Sequence, residues 1–146
     1  LKNFLENFPE KVPLAVEFRH RDWFRPDTWT RTVNFLRERG VATVLTDVSG
    51  RRDVLHQSLS IPTAFIRFVG NEGHPTDRTR ADAWVQRLKT WIDGGLETLY
   101  LFIHSGGQND TAPELAQYWI QQLNAVCGLS LPEPKFLPKV VQTSLF

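Results

Sequence analysis

The sequence has one cysteine, no methionine, and almost no charge imbalance: 17 basic residues stand against 16 acidic ones. Each scarcity excludes something. A lone thiol, Cys127, rules out an internal disulfide, so a reducing, cytoplasmic setting is the expectation. A formal net charge of +1 creates no field of the kind that draws a protein to nucleic acid or a membrane surface, so no direct nucleic-acid or membrane binding is expected. No apolar run reaches the ~18 residues of a membrane span, and no signal peptide is visible. With no starting methionine, the 146 residues read as a piece of a longer protein. Neither G-x-G-x-x-G nor G-x-x-x-x-G-K-[ST] occurs, which removes the usual nucleotide-binding readings. Hydrophobic residues are not scarce: they make up 41%, with 12% aromatics, which supports a folded core.

Four short apolar, β-branched or aromatic runs predict buried strands at Leu14–His20, Ala42–Asp47, Thr63–Gly70 and Thr98–His104. Their near-continuous hydrophobicity fits a parallel sheet covered on both faces. Between them lie helical patterns. One is capped by Asp27 and runs to about Arg39, with Trp29, Val33 and Leu36 on its stripe and Gly40 as its stop. A second spans about Arg78–Ile92, with Trp84, Leu88 and Trp91 inward. A third follows Thr111-Ala112-Pro113, with Leu115, Trp119, Ile120, Leu123 and Val126 inward. Leu1–Phe8 reads as the end of one more helix, and residues 48–61 as a loop with a short helix. Repeated strand–helix spacing is the βαβ signature. The expected fold is α/β, a parallel (β/α) TIM-barrel-like architecture. Residues 1–129 would be its C-terminal half, four βα units, and 130–146 a proline-containing tail; a doubly wound open sheet is the alternative.

In a parallel barrel the working face lies at the strand C-termini. Each predicted strand delivers an ionisable group there: Glu17, Arg19 and His20; Asp47; Arg67; and His104. Glu17 and Arg19 are two apart, so they leave one face of a strand. Glu17 reads as a general base or metal ligand and Arg19 as a holder of an anion, or the two form an ion pair between strands. His20 reads as a proton-transfer group or as a histidine that holds its loop by a backbone hydrogen bond. Asp47 reads as a catalytic carboxylate or as a turn cap before Ser49-Gly50. Arg67 in IRF needs Glu17, Asp47 or a ligand anion as partner. His104 opens a loop, Ser105-Gly106-Gly107-Gln108-Asn109-Asp110, in which glycine backbone and Asn109 can approach a ligand. Trp23 is placed at the rim. Glu17, His20, Asp47 and His104 are thus the catalytic candidates, and Arg19, Arg67, Trp23 and Asn109 the ligand-binding ones. The acids and histidines offer oxygen and nitrogen ligands for a divalent metal. Cys127 reads as an inert thiol at the end of the last helix, and His56 and His74 receive no role.

The segments VEFRHRDWF, TD after the second strand, FIRFVG and LYLFIHSG resemble the YecE-like family, known as domain of unknown function 72, from about Val12 to Pro138. Two departures stand out. Val69 occupies a position that is often histidine, and His104-Ser105 replaces a usual pair of Asn or Asp. The resemblance implies a (β/α) barrel of roughly twice this length; the family has no established activity to carry over, and fold alone cannot supply one.

Two functions follow as expectations. The first is a hydrolase-type enzyme acting on an anionic or phosphate-bearing small molecule at the strand C-termini. The second is a ligand-binding or adaptor protein. Its tail, through Gln142, Leu145 and Phe146, resembles the Gln-x-x-Leu-Phe peptide that docks on the DNA sliding clamp. Open sheet edges also make a homo-oligomer an expectation.

Overall fold

A strand that is apolar on both sides needs cover on both sides, and β2 (Ala42–Val48) is buried from Ala42 through Asp47. In the computed structural model, which describes residues 1–9, 11–107 and 111–137, β2 lies between β1 (Ala15–Val16) and β3 (Thr63–Val69). A fourth strand, β4 (Thr98–His104), pairs with β3. All three pairings are parallel and the spatial order is the chain order, β1-β2-β3-β4. The fold is therefore α/β on a four-stranded parallel sheet, which does not close among the described residues.

The helices are α1 (Lys2–Glu6), α2 (Pro26–Glu38), α3 (Thr76–Asp93) and α4 (Ala112–Cys127). The last three follow β1, β3 and β4, and the β2–β3 link holds only a 3-10 turn, Arg52–Val54. Pro26 rather than Asp27 shapes the start of α2: its fixed φ suits a first helical turn, which leaves Arg25 as cap and Asp27 inside the turn. Gly40, at φ +65°, turns the chain out of that helix into β2. α3 begins two residues earlier than expected, at Thr76, and so takes Asp77 into its first turn. The first strand is far shorter than the expected Leu14–His20. Past Val16 the chain leaves the ladder, and His20 caps a 3-10 turn at Arg21–Phe24.

Alternation along β3 sorts the two faces. Ala64, Ile66 and Phe68 are fully buried and meet Trp84, Leu88, Trp119 and Leu123 of α3 and α4. Leu45 is in the same cluster. Val16, which shares that face through its partner Thr43, packs with Leu36 of α2. All three long helices thus cover one face. Thr46, Arg67 and Phe102 are neighbours in register on the other. There Phe65 stacks on Phe102 at 4.9 Å, and Tyr100 and Phe102 are 48% and 46% exposed. After α4, residues 130–137 run back along that helix. Asn124 donates to the Leu131 carbonyl and accepts from its N–H, and Gln117 and Gln121 donate to Glu133. No helix among the described residues is long and apolar enough to cross a membrane.

Candidate functional site

The face without helices gathers charge at the strand C-termini. Glu17 stands just past β1. Its Oε1 accepts from Thr46 Oγ1 at 2.9 Å and from Arg67 Nη1 at 3.5 Å, and its Oε2 accepts from Arg19 Nη2 at 3.1 Å. One carboxylate therefore ties three consecutive strand ends together. The Glu17 side chain is 20% exposed and that of Arg67 32%, whereas that of Arg19 is 72% exposed. Burial pushes the Glu17 pKa up, but the hydrogen bonds from Arg19 and Thr46 and the charges of Arg19 and Arg67 outweigh it. The net shift is downward, so Glu17 is ionised at neutral pH. Arg51 Nη2 donates to the Arg19 carbonyl at 3.1 Å, which fixes the loop after β1 to the loop after β2.

Of the residues singled out from sequence, Glu17, Arg19 and Arg67 come together. Asp47 does not join them. It pairs in register with Phe68 and so points into the helix layer, where it is 1% exposed. Its carboxylate accepts from Arg52 Nη1 at 2.5 Å, from Arg80 Nη1 at 2.7 Å and from the Trp84 indole N–H at 2.7 Å. Arg80 also donates to Asp77 at 2.8 Å and to the Val69 carbonyl at 2.9 Å, and lies 4.3 Å over the Phe68 ring. Asp77 in turn accepts from the Asn71 and Gly73 N–H groups. This is neither a turn cap nor a mouth carboxylate; it is a buried polar knot beneath α3. With Asp47 on the far face, Glu17, His20, Asp47 and His104 cannot share one ion. No group of three or more His, Cys, Asp or Glu side chains among the described residues is arranged to hold a metal.

His20 is exposed, and its Nδ1 accepts from the Asp22 N–H at 3.3 Å, which holds the turn. Trp23 is partly buried against Phe18, at 4.8 Å between rings, inside the cluster under α2. His104 ends β4 beside Val69, with an exposed side chain; its carbonyl accepts from the Gly70 N–H. What approaches the glycine loop closely is the neighbouring loop: a Cβ at Gly106 would overlap the Gly70 carbonyl. Asn109, Gln142, Leu145 and Phe146 lie outside the described residues.

Three contributors escaped the sequence reading. Thr46 holds Glu17, and parity with Arg67 would have found it, had one face of β2 been polar. Arg80 falls on the same helical stripe as Asp77 and Trp84, a spacing legible at 3.6 residues per turn. His56 is 9% exposed, donates to the Val44 carbonyl through Nε2 while Nδ1 accepts from the Ser58 N–H, and packs on Trp29 at 4.3 Å. Burial lowers its pKa to about 4.

Comparison with known proteins agrees with the strand-end motifs. The family model "Protein of unknown function DUF72" matches residues 1–138. The UPF0759 protein YecE of Escherichia coli, strain K12, is 28% identical over 163 residues, which cover 99% of this chain and 57% of that protein; the O157:H7 protein gives the same values. Two crystal structures of a DUF72 family protein from Enterococcus faecalis V583 share the fold at 16% identity. Their TM-scores are 0.63 and 0.62, covering 88% and 94% of this chain and 53% and 55% of theirs. The chain thus spans a little over half the length of these relatives. With the family model matching residues 1–138 of its 146 residues, the chain belongs to the DUF72 family of proteins of unknown function.

Proposed function

We propose that this chain is the C-terminal half of a TIM-barrel-like (β/α) fold whose mouth binds a small anionic ligand. Sequential strand order with every long helix on one face supports the barrel, since a doubly wound sheet reverses its order and carries helices on both faces. The observation that carries the ligand is the charge at Glu17: two guanidinium groups, Arg19 and Arg67, flank a single carboxylate. The surplus positive charge suits a phosphate or carboxylate group, which a planar guanidinium recognises with paired hydrogen bonds. In a hydrolase-type reaction the ionised Glu17 would orient and deprotonate water, and the arginines would stabilise the charge that develops. Its lowered pKa disfavours the opposite role of proton donor.

Ligand binding without chemistry is the second reading, favoured because three donors already engage Glu17. Calorimetry with inorganic phosphate and turnover of a chromogenic phosphate ester separate the two. Arg67→Ala should weaken phosphate binding by about tenfold or more; wild-type affinity in that variant would sink the site. Glu17→Gln should cut turnover by about 100-fold with the fold retained. A wild-type protein that binds phosphate but turns nothing over selects the second reading.

A further inference from the structure

We infer that the two loops beside this mouth hold the outer phosphates of a small ligand carrying a di- or triphosphate. The inference rests on the mouth as the site of the first anion. Charge is nearly balanced over the chain, at 17 basic and 16 acidic residues, but not locally. Residues 19–25 and 49–54 carry Arg19, Arg21, Arg25, Arg51 and Arg52 against Asp22 and Asp53; Arg52 is paired with Asp47 of the buried knot, which leaves four arginines against two aspartates. Counting in Glu17 and Arg67 leaves the excess of positive charge unchanged.

The two loops form one surface. Their 3-10 turns, Arg21–Phe24 and Arg52–Val54, pack together, and Arg51 donates to the Arg19 carbonyl. Local acids pre-orient the arginines without exhausting them. Arg25 donates to Asp22 at 2.8 Å and Arg51 to Asp53 at 3.0 Å. The Asp53 carboxyl is held below its usual range by the Arg51 hydrogen bond, with the Arg21 charge acting from the other loop. Each guanidinium has five N–H donors, and the side chains of Arg19, Arg25 and Arg51 remain 72%, 73% and 53% exposed. Exposed, partly oriented forks on adjoining turns match a chain of phosphates better than a single one.

A polynucleotide fits less well. It would need a longer basic track, and outside these loops acidic residues outnumber basic ones.

The test is calorimetric titration of the whole chain with orthophosphate, pyrophosphate, triphosphate and a single-stranded oligonucleotide. Triphosphate should bind at least about tenfold more tightly than orthophosphate. Arg21→Gln with Arg25→Gln should erase that preference and leave orthophosphate affinity within about twofold of wild type, with circular dichroism confirming the fold. Because the Arg25 backbone caps α2, Arg21→Gln alone supplies a second readout: a partial loss of preference. Equal affinity for orthophosphate and triphosphate, a preference that survives both variants, or tighter oligonucleotide binding would overturn the inference. The mouth reading fails separately, by wild-type orthophosphate affinity in Arg67→Ala. No binding of any phosphate removes both.

Discussion

Two clusters of charge sit back to back at the strand ends, built from neighbouring residues of β2. Thr46 faces the side without helices and joins Glu17, Arg67 and Arg19. Asp47 faces the helices and joins Arg80, Arg52 and Trp84. The first is partly exposed and carries more positive than negative charge. The second is buried at Asp47, Asp77 and Arg80, with only Arg52 reaching solvent, and it pairs two carboxylates with two guanidiniums. A balanced buried network locks structure, because each member left alone would be an uncompensated charge. An unbalanced one at a surface leaves capacity for something else. Composition alone does not separate the two; exposure and charge balance do.

Asp47→Ala should break this contrast most severely. It would leave the buried Trp84 indole N–H without an acceptor and Arg80 with Asp77 as its remaining carboxylate, and so destabilise the fold by about 3–5 kcal/mol, read from denaturant midpoints. A loss of only a few tenths would mean that the knot is not structural. The next effect comes from His56. Burial lowers its folded pKa to about 4 from 6.5. Its stabilising contribution is therefore complete above pH 6.5 and is lost as pH falls through about 4. The loss amounts to about 3 kcal/mol. Unfolding free energies at the two ends of that window should differ less in His56→Gln, and an unchanged difference would reject the assignment. Smallest is the stability effect of Glu17→Gln. The Glu17 pairs are partly exposed and Gln keeps an accepting oxygen, so it should shift stability by about 1 kcal/mol or less. A loss as large as that of Asp47→Ala would make Glu17 structural after all.

The sequence makes much of this legible. The bounds of β2, β3 and β4 follow from β-branched and aromatic runs, and Pro113 and Gly40 mark a helix start and stop where they stand. The meeting of Glu17 with Arg67 follows from the cost of an unpaired charge in a buried strand. The direction of Asp47 does not follow, because β2 is apolar on both faces and its alternation leaves no trace. The truncation of β1 is equally silent: His20 ends it by capping a turn, a local contact competing with a ladder. His56 has polar and charged near neighbours along the chain and meets Trp29 and Phe24 only in space.

The tryptophans divide between the two core clusters. Trp23 and Trp29 sit under α2, while Trp84, Trp91 and Trp119 sit under α3 and α4. Each half of the sheet thus carries its own fluorophores. Trp29 lies against an imidazole that titrates, and Trp84 donates its indole N–H to a carboxylate. Emission from variants that keep one tryptophan would therefore follow the opening of each half of the helix layer separately, with the molecule's own side chains as labels.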